Sequence, residues 1–138
     1  MWTQSQFLLL DQLCALSGIR QQASQLHQTG AITVNGIPFS LLPGLSDSGL
    51  RIIAQLGEPP EEHRAKIHQR LLELNLFIDS GNHEQLAIER STGIALFSYQ
   101  FAGADAAQLI ASLQRAAIQA HEWRSSYFMD VDEGVPVL

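Results

Sequence analysis

Asn35-Gly36 lies between two apolar runs, Ala31–Val34 and Ile37–Leu42. Both turn residues tolerate positive φ, which a two-residue turn between antiparallel strands demands, so the pair predicts a β-hairpin. A chain that commits to this hairpin must build a sheet, and the rest of the sequence must extend it and cover it. Leu50–Leu56 reads as a third strand, ended by Gly57 and Pro59-Pro60. Leu86–Arg90 and Ile94–Phe101 read as two more, joined at Ser91-Thr92-Gly93, where glycine suits a tight loop.

Three helices frame these strands. Thr3 or Ser5 can cap the first, in which Phe7, Leu10, Leu13 and Cys14 recur at helical spacing before Gly18 stops it. The second opens at Pro60 or Glu61, with Glu61 and Glu62 suited to the positive end of the helix dipole. Its stripe is Ile67, Leu71, Leu74 and Ile78, with Leu72 and Phe77 beside it, and Ser80-Gly81-Asn82 closes it. The last starts near Asp105 and runs to about Arg124, with Leu109, Ile110, Leu113, Ala117, Ala120 and Trp123 on its apolar face. The glutamine-rich stretch 19–30 fits either a short helix or a polar connection. The expected fold class is α+β: an antiparallel sheet of about five strands with three helices, in the order α-β-β-β-α-β-β-α. A single domain over 1–124 is followed by an acidic, flexible tail over 125–138.

The strands carry a further message. A half-exposed strand alternates apolar and polar residues. Here Ile94 and Leu96 point one way while Ala95, Phe97, Tyr99 and Phe101 point the other, and Ile52 and Ile53 face opposite sides. Helices can cover one face of such a sheet. The second face then requires a subunit, a client, or both.

Composition narrows the partner. The 138 residues carry a net charge of −6, and residues 1–129 hold eleven acids against eight bases. Nothing is basic enough to neutralise a phosphate backbone, which argues against nucleic acid. The acidity argues for solubility and against anionic membranes. The run Phe7–Leu10 is too short for membrane insertion and lacks the flanks of a signal peptide, so a cytoplasmic location is expected. The single cysteine, Cys14, fits a reducing compartment.

Catalytic patterns are sparse. His63 and His68 are five apart, not the four that puts two ligands on one helix face, and His121-Glu122 has no second histidine to complete a zinc motif. Asp130, Asp132 and Gly134 do not have calcium-loop spacing. Cys14 lies on an apolar stripe, where a buried inert thiol is expected. No phosphate loop and no acid–base–nucleophile set is present, so neither a metal nor another cofactor is expected, and no enzymatic activity.

Four segments taken in order resemble a known family. They are Leu50–Pro60 (LRIIAQLGEPP), Arg70–Phe77 (RLLELNLF), Leu86–Phe101 (LAIERSTGIALFSYQF) and a last helix ending His121-Glu122-Trp123-Arg124. Leu71, Leu72, Asn75 and Leu76 match the family's Leu-Leu-x-x-Asn-Leu helix end, and Gly93 matches its glycine hairpin. The chain thereby resembles, over roughly 7–124, the class I chaperones of bacterial type III secretion, the Tir-chaperone family. It departs from the family in its glutamine-rich stretch at 20–28 and in its acidic tail.

The resemblance implies a cytoplasmic bacterial protein without enzymatic activity. Such a protein is a homodimer that binds the N-terminal region of a secreted effector and keeps it extended and competent for export. It implies client grooves on the first helix and first strands, here Leu10, Leu13, Ile37, Phe39, Leu41 and Ile53. It implies a dimer interface on the second helix and adjoining strand, here Ile67, Leu71, Leu74, Phe97 and Tyr99. Two alternatives differ in kind: a regulatory or immunity-like protein of the same fold that binds a folded partner, and a small enzyme using His121 or Cys14.

Overall fold

The computed structural model describes residues 2–46, 49–76, 83–103 and 105–127. The expected α+β architecture is present, with one more helix than the sequence reading counted. In chain order the elements are α1 (Gln4–Leu16), α2 (Ala23–Thr29), β1 (Ala31–Val34), β2 (Ile37–Pro43), β3 (Leu50–Gly57), α3 (Arg64–Leu74), β4 (Gln85–Ile88), β5 (Ala95–Phe101) and α4 (Ala106–Ser126). Short 3-10 turns at Arg20–Gln22 and Glu61–His63 lead into α2 and α3.

Local chemistry accounts for the boundaries. Thr3 caps α1 through a capping box: its hydroxyl accepts from the Gln6 N–H, and the Gln6 side chain accepts from the Thr3 N–H at 2.8 Å. The same Gln6 side chain, buried, donates to the Gly49 carbonyl at 2.9 Å and ties the helix start to the loop before β3. Asp105 caps α4 by accepting from the Ala107 N–H. Asn35 and Gly36 adopt φ of 50° and 78°, the two-residue turn expected of them.

Several boundaries differ from expectation. The ambiguous stretch forms α2, with one buried leucine, Leu26, and a stop at Gly30 (φ 67°). α3 begins three residues after Glu61 and ends at Leu74, before the predicted stripe runs out. The predicted members Phe77 and Ile78, and the closing Ser80-Gly81-Asn82, lie outside the described residues. β4 stops at Ile88 rather than Arg90, because the Glu89 N–H bonds to the Ile94 carbonyl and the Gly93 N–H to the Glu89 carbonyl. Those bonds close a loop wider than the three-residue turn predicted. The tail beyond Tyr127 lies outside the described residues, and Ser125 and Ser126, assigned to it, continue α4.

The sheet is antiparallel throughout, in the order β1-β2-β3-β5-β4. On one face Leu41, Ile52 and Tyr99 stand in register, as do Phe39, Ala54 and Phe97. α4 lies across this face against β3, β2 and β1, and α1 packs on α4 and α2. Leu9, Leu10, Leu13, Leu109, Leu113 and Ala117 join these strand residues in one core. Burying such side chains is worth roughly 1.5–3 kcal/mol each.

The second face is mixed rather than apolar. Ile53, Leu96 and Ala87 are half-buried there and Leu42 is exposed, but they alternate in register with Ser40, Arg51, Gln55, Ser98 and Gln100. The greasy surplus expected on the sheet lies instead on the helices and on Leu45 in the loop before β3. Leu8 and Leu16 of α1, Leu72 of α3, Leu76 just beyond it and Ile118 of α4 are 55%, 63%, 66%, 81% and 58% exposed. Alternation along a strand identifies a face; it does not reveal which polar residues sit beside it on neighbouring strands.

Candidate functional site

Two surfaces flank the sheet, one at each end. The first is built on the open edge of β1. Val34 and Ile37 close the two-residue turn as a hydrogen-bonded pair, so along β1 the backbone groups of Ala31 and Thr33 point away from β2. The Ala31 N–H is held by the Thr29 hydroxyl at 3.2 Å. Thr33 offers both its N–H and its carbonyl to an incoming strand.

Beside this edge a groove of about 340 Å³ runs between α2 and the hairpin, walled by Ile19, Gln22 and Leu26 and floored by Ile32, Pro38 and Phe39. Its α2 wall is anchored on α1. The Trp2 indole donates to the His27 carbonyl at 2.8 Å, the Phe7 ring meets the His27 ring edge-on at 4.8 Å, and His27 Nε2 lies 3.0 Å from Asp11 Oδ1.

The second surface is a wider groove of about 680 Å³ between β5 and α4, lined by Phe97, Tyr99 and Phe101 on one side and by Ser112, Arg115 and Trp123 on the other. Phe97 packs edge-on against Trp123 at 5.1 Å. Ser112 donates to the Leu109 carbonyl at 3.0 Å, so the Tyr99 hydroxyl donates to Ser112 Oγ at 3.1 Å. Burial, partly offset by the Ser112 bond and by Arg115, pushes the Tyr99 phenol up to about 12. The phenol therefore keeps its proton into strongly alkaline solution.

Of the client residues implied by the family resemblance, Leu10, Leu13, Ile37, Phe39 and Leu41 are at most 2% exposed and form core. Phe39 reaches a surface only as the groove floor, and Ile53 lies half-buried on the far face of the sheet. Of the dimer residues, Ile67 and Leu71 are buried within their own chain and Leu74 is half-buried, while Phe97 and Tyr99 line the larger groove. The two implied sets do not follow the faces of the sheet, since Ile53 points away from Phe39 and Leu41 while Phe97 and Tyr99 share their face, and a shared apolar face is equally the signature of an interior. The residues that periodicity missed are Ile19, Leu26, Ile32 and Thr33 at the β1 edge. Ile32 and Thr33 were signalled only by nearness to the Asn-Gly turn, and Ile19 and Leu26 by no periodic stripe at all.

The residues weighed for catalysis stand apart. Cys14 is buried in α1, and burial with the nearby Asp11 charge pushes its thiol up, which keeps it protonated and weakly nucleophilic. His121 Nε2 sits 2.7 Å from the Asn35 carbonyl oxygen at the hairpin turn. Among the described residues no group of three His, Cys, Asp or Glu is placed to hold a metal, and no helix is long and apolar enough to cross a membrane. No family model matches the chain, and no curated protein matches it.

Proposed function

We propose that this protein is a cytoplasmic holding chaperone of the type III secretion kind. In this reading it is a homodimer that binds the N-terminal region of a secreted effector in extended form. The observation that carries the reading is the open β1 edge at Thr33 beside an apolar groove. An extended segment gains main-chain hydrogen bonds by lying along such an edge, and seats alternate side chains in the groove. Ile19, Leu26 and Phe39 supply apolar wall and floor, while Gln22 and Gln25 at the rim offer polar groups to the client backbone.

A second copy is the natural cover for the exposed leucines Leu72 and Leu76, which follow α3 toward the β4 side of the sheet. Two-fold pairing would present two equal β1 edges. The alternative, a regulator that holds a folded partner, draws on Leu8 and Leu16, whose exposed stripe on α1 suits a convex surface.

The partner is recovered by co-purification and mass spectrometry, and its N-terminal segment is then titrated as a peptide. Thr33→Pro removes the outward N–H without breaking a bond to β2, and is expected to weaken the peptide by about tenfold, the equivalent of ~1.4 kcal/mol. Undiminished peptide binding by a folded Thr33→Pro protein would refute strand addition at β1. A partner that binds only as a folded domain would favour the regulator.

A further inference from the structure

β4 lies at the other end of the sheet from β1, and its exposed side is already occupied. Asn75 Oδ1 accepts the Leu86 N–H at 2.7 Å and Asn75 Nδ2 donates to the Leu86 carbonyl at 2.9 Å. Since Leu86 gives both backbone groups to Asn75, its pairing with Phe97 is one in which those groups point away from β5. A carboxamide can answer a donor and an acceptor at once, as a neighbouring strand would. Asn75 is held for this task. It caps α3 in helical conformation, its own N–H bonded back to the Leu71 carbonyl at 3.3 Å, and α3 packs beside β4.

β4 is only four residues long, and its outward groups belong to Leu86 and Ile88. With both groups of Leu86 taken, β4 keeps outward groups only at its last residue, Ile88, whereas β1 loses only the Ala31 N–H and keeps Thr33 open at both groups. We propose that Asn75 is a plug on the β4 edge that makes the sheet one-ended and confines strand addition to β1. The inference deepens the client-binding reading above, because it fixes one extended guest per chain. The plug itself acts on any strand, including one from a second copy. An antiparallel sheet open at both ends can join β1 of one molecule to β4 of the next, a head-to-tail contact that does not close on itself. Asn75 removes one half of that contact.

Sedimentation velocity over a concentration series tests the plug with Asn75→Ala, alone and combined with Thr33→Pro. Asn75→Ala is expected to form concentration-dependent oligomers beyond the wild-type species. Adding Thr33→Pro, which disables the opposite edge, is expected to reduce the oligomer fraction by about tenfold. A folded Asn75→Ala protein that sediments like wild type at every concentration overturns the proposal, as do oligomers that persist unchanged in the double variant.

Should Asn75→Ala fail to fold, amide hydrogen exchange on the wild-type protein decides. The Leu86 amide is expected to exchange at least ~10-fold more slowly than the Thr33 amide, since one is bonded and the other open. Equal rates mean the plug is not seated and end the proposal. Failure of a client peptide to bind at β1 would sink the earlier reading while leaving these measurements as they are.

Discussion

The β1 and β4 edges are both four-residue strands at the rim of one antiparallel sheet, yet one is left open at Thr33 and the other is taken at Leu86. Neither strand's own sequence makes the difference: Ala-Ile-Thr-Val and Gln-Leu-Ala-Ile are comparable in polarity and carry no guarding charge or proline. The helix beside each edge decides. α2 is capped by a glycine and its last residue, Thr29, takes only the Ala31 N–H, leaving Thr33 open beside a groove, whereas α3 is capped by an asparagine that takes both Leu86 peptide groups. Edge availability is thus written into the cap of the neighbouring helix, one element away from the strand it controls.

The comparison is broken most forcefully at Phe39, the floor of the β1 groove. Phe39→Ala is expected to cost ~3–5 kcal/mol, as for other buried phenylalanines, read as a drop in the urea midpoint at constant slope. A variant that melts like wild type and loses only client affinity would mean that the β1 end is a surface rather than core. By the same reasoning Leu71→Asp, at a buried position of α3, unfolds the chain instead of yielding folded monomers.

The β5 side is sharpened by pH. The folded protein holds the Tyr99 proton up to about 12, while the unfolded chain releases it near the ordinary value of 10. Stability from this group is therefore complete below pH 10 and is lost as pH rises from 10 toward 12. The loss is on the order of 2–3 kcal/mol. Tyr99→Phe should flatten that part of the stability curve, measured by denaturant titration at successive pH values. An unaltered alkaline slope would mean that the phenol is not buried in solution.

The smallest effect on the single chain is expected at Leu76, where Leu76→Asp changes monomer stability by no more than about 0.5 kcal/mol, because the side chain touches little. Its effect appears in light scattering, as a lighter particle if this surface covers a second copy. An unchanged mass assigns Leu76 no part in self-association.

Much of this fold was legible in residue order. Asn35-Gly36 fixed the hairpin, Thr3 and Asp105 marked helix starts, and the five strands fell where apolar runs met turn residues. α2 was illegible because its seven residues bury one leucine and leave no periodic stripe. The site was less legible than the fold. Leu10, Leu13, Ile37 and Leu41 share the pattern of a groove and of a core, and only the packing of α4 and α1 over them decides between the two. Asn75 stood out within a helix-end motif, but its partner, eleven residues on, becomes meaningful only once β4 is known to lie at the rim.

Gly30 joins the wall of the β1 groove to its floor. Its N–H bonds to the Leu26 carbonyl and its carbonyl accepts the Leu41 N–H at 2.7 Å, while a Cβ placed there would collide with the Leu41 carbonyl oxygen. At this one point α2 meets β2 main chain against main chain, with no side chain available to act as a shim. If an extended segment docks there as proposed, so rigid a hinge would sort candidates by girth, admitting the right bulk at alternate positions and keeping a wider one outside.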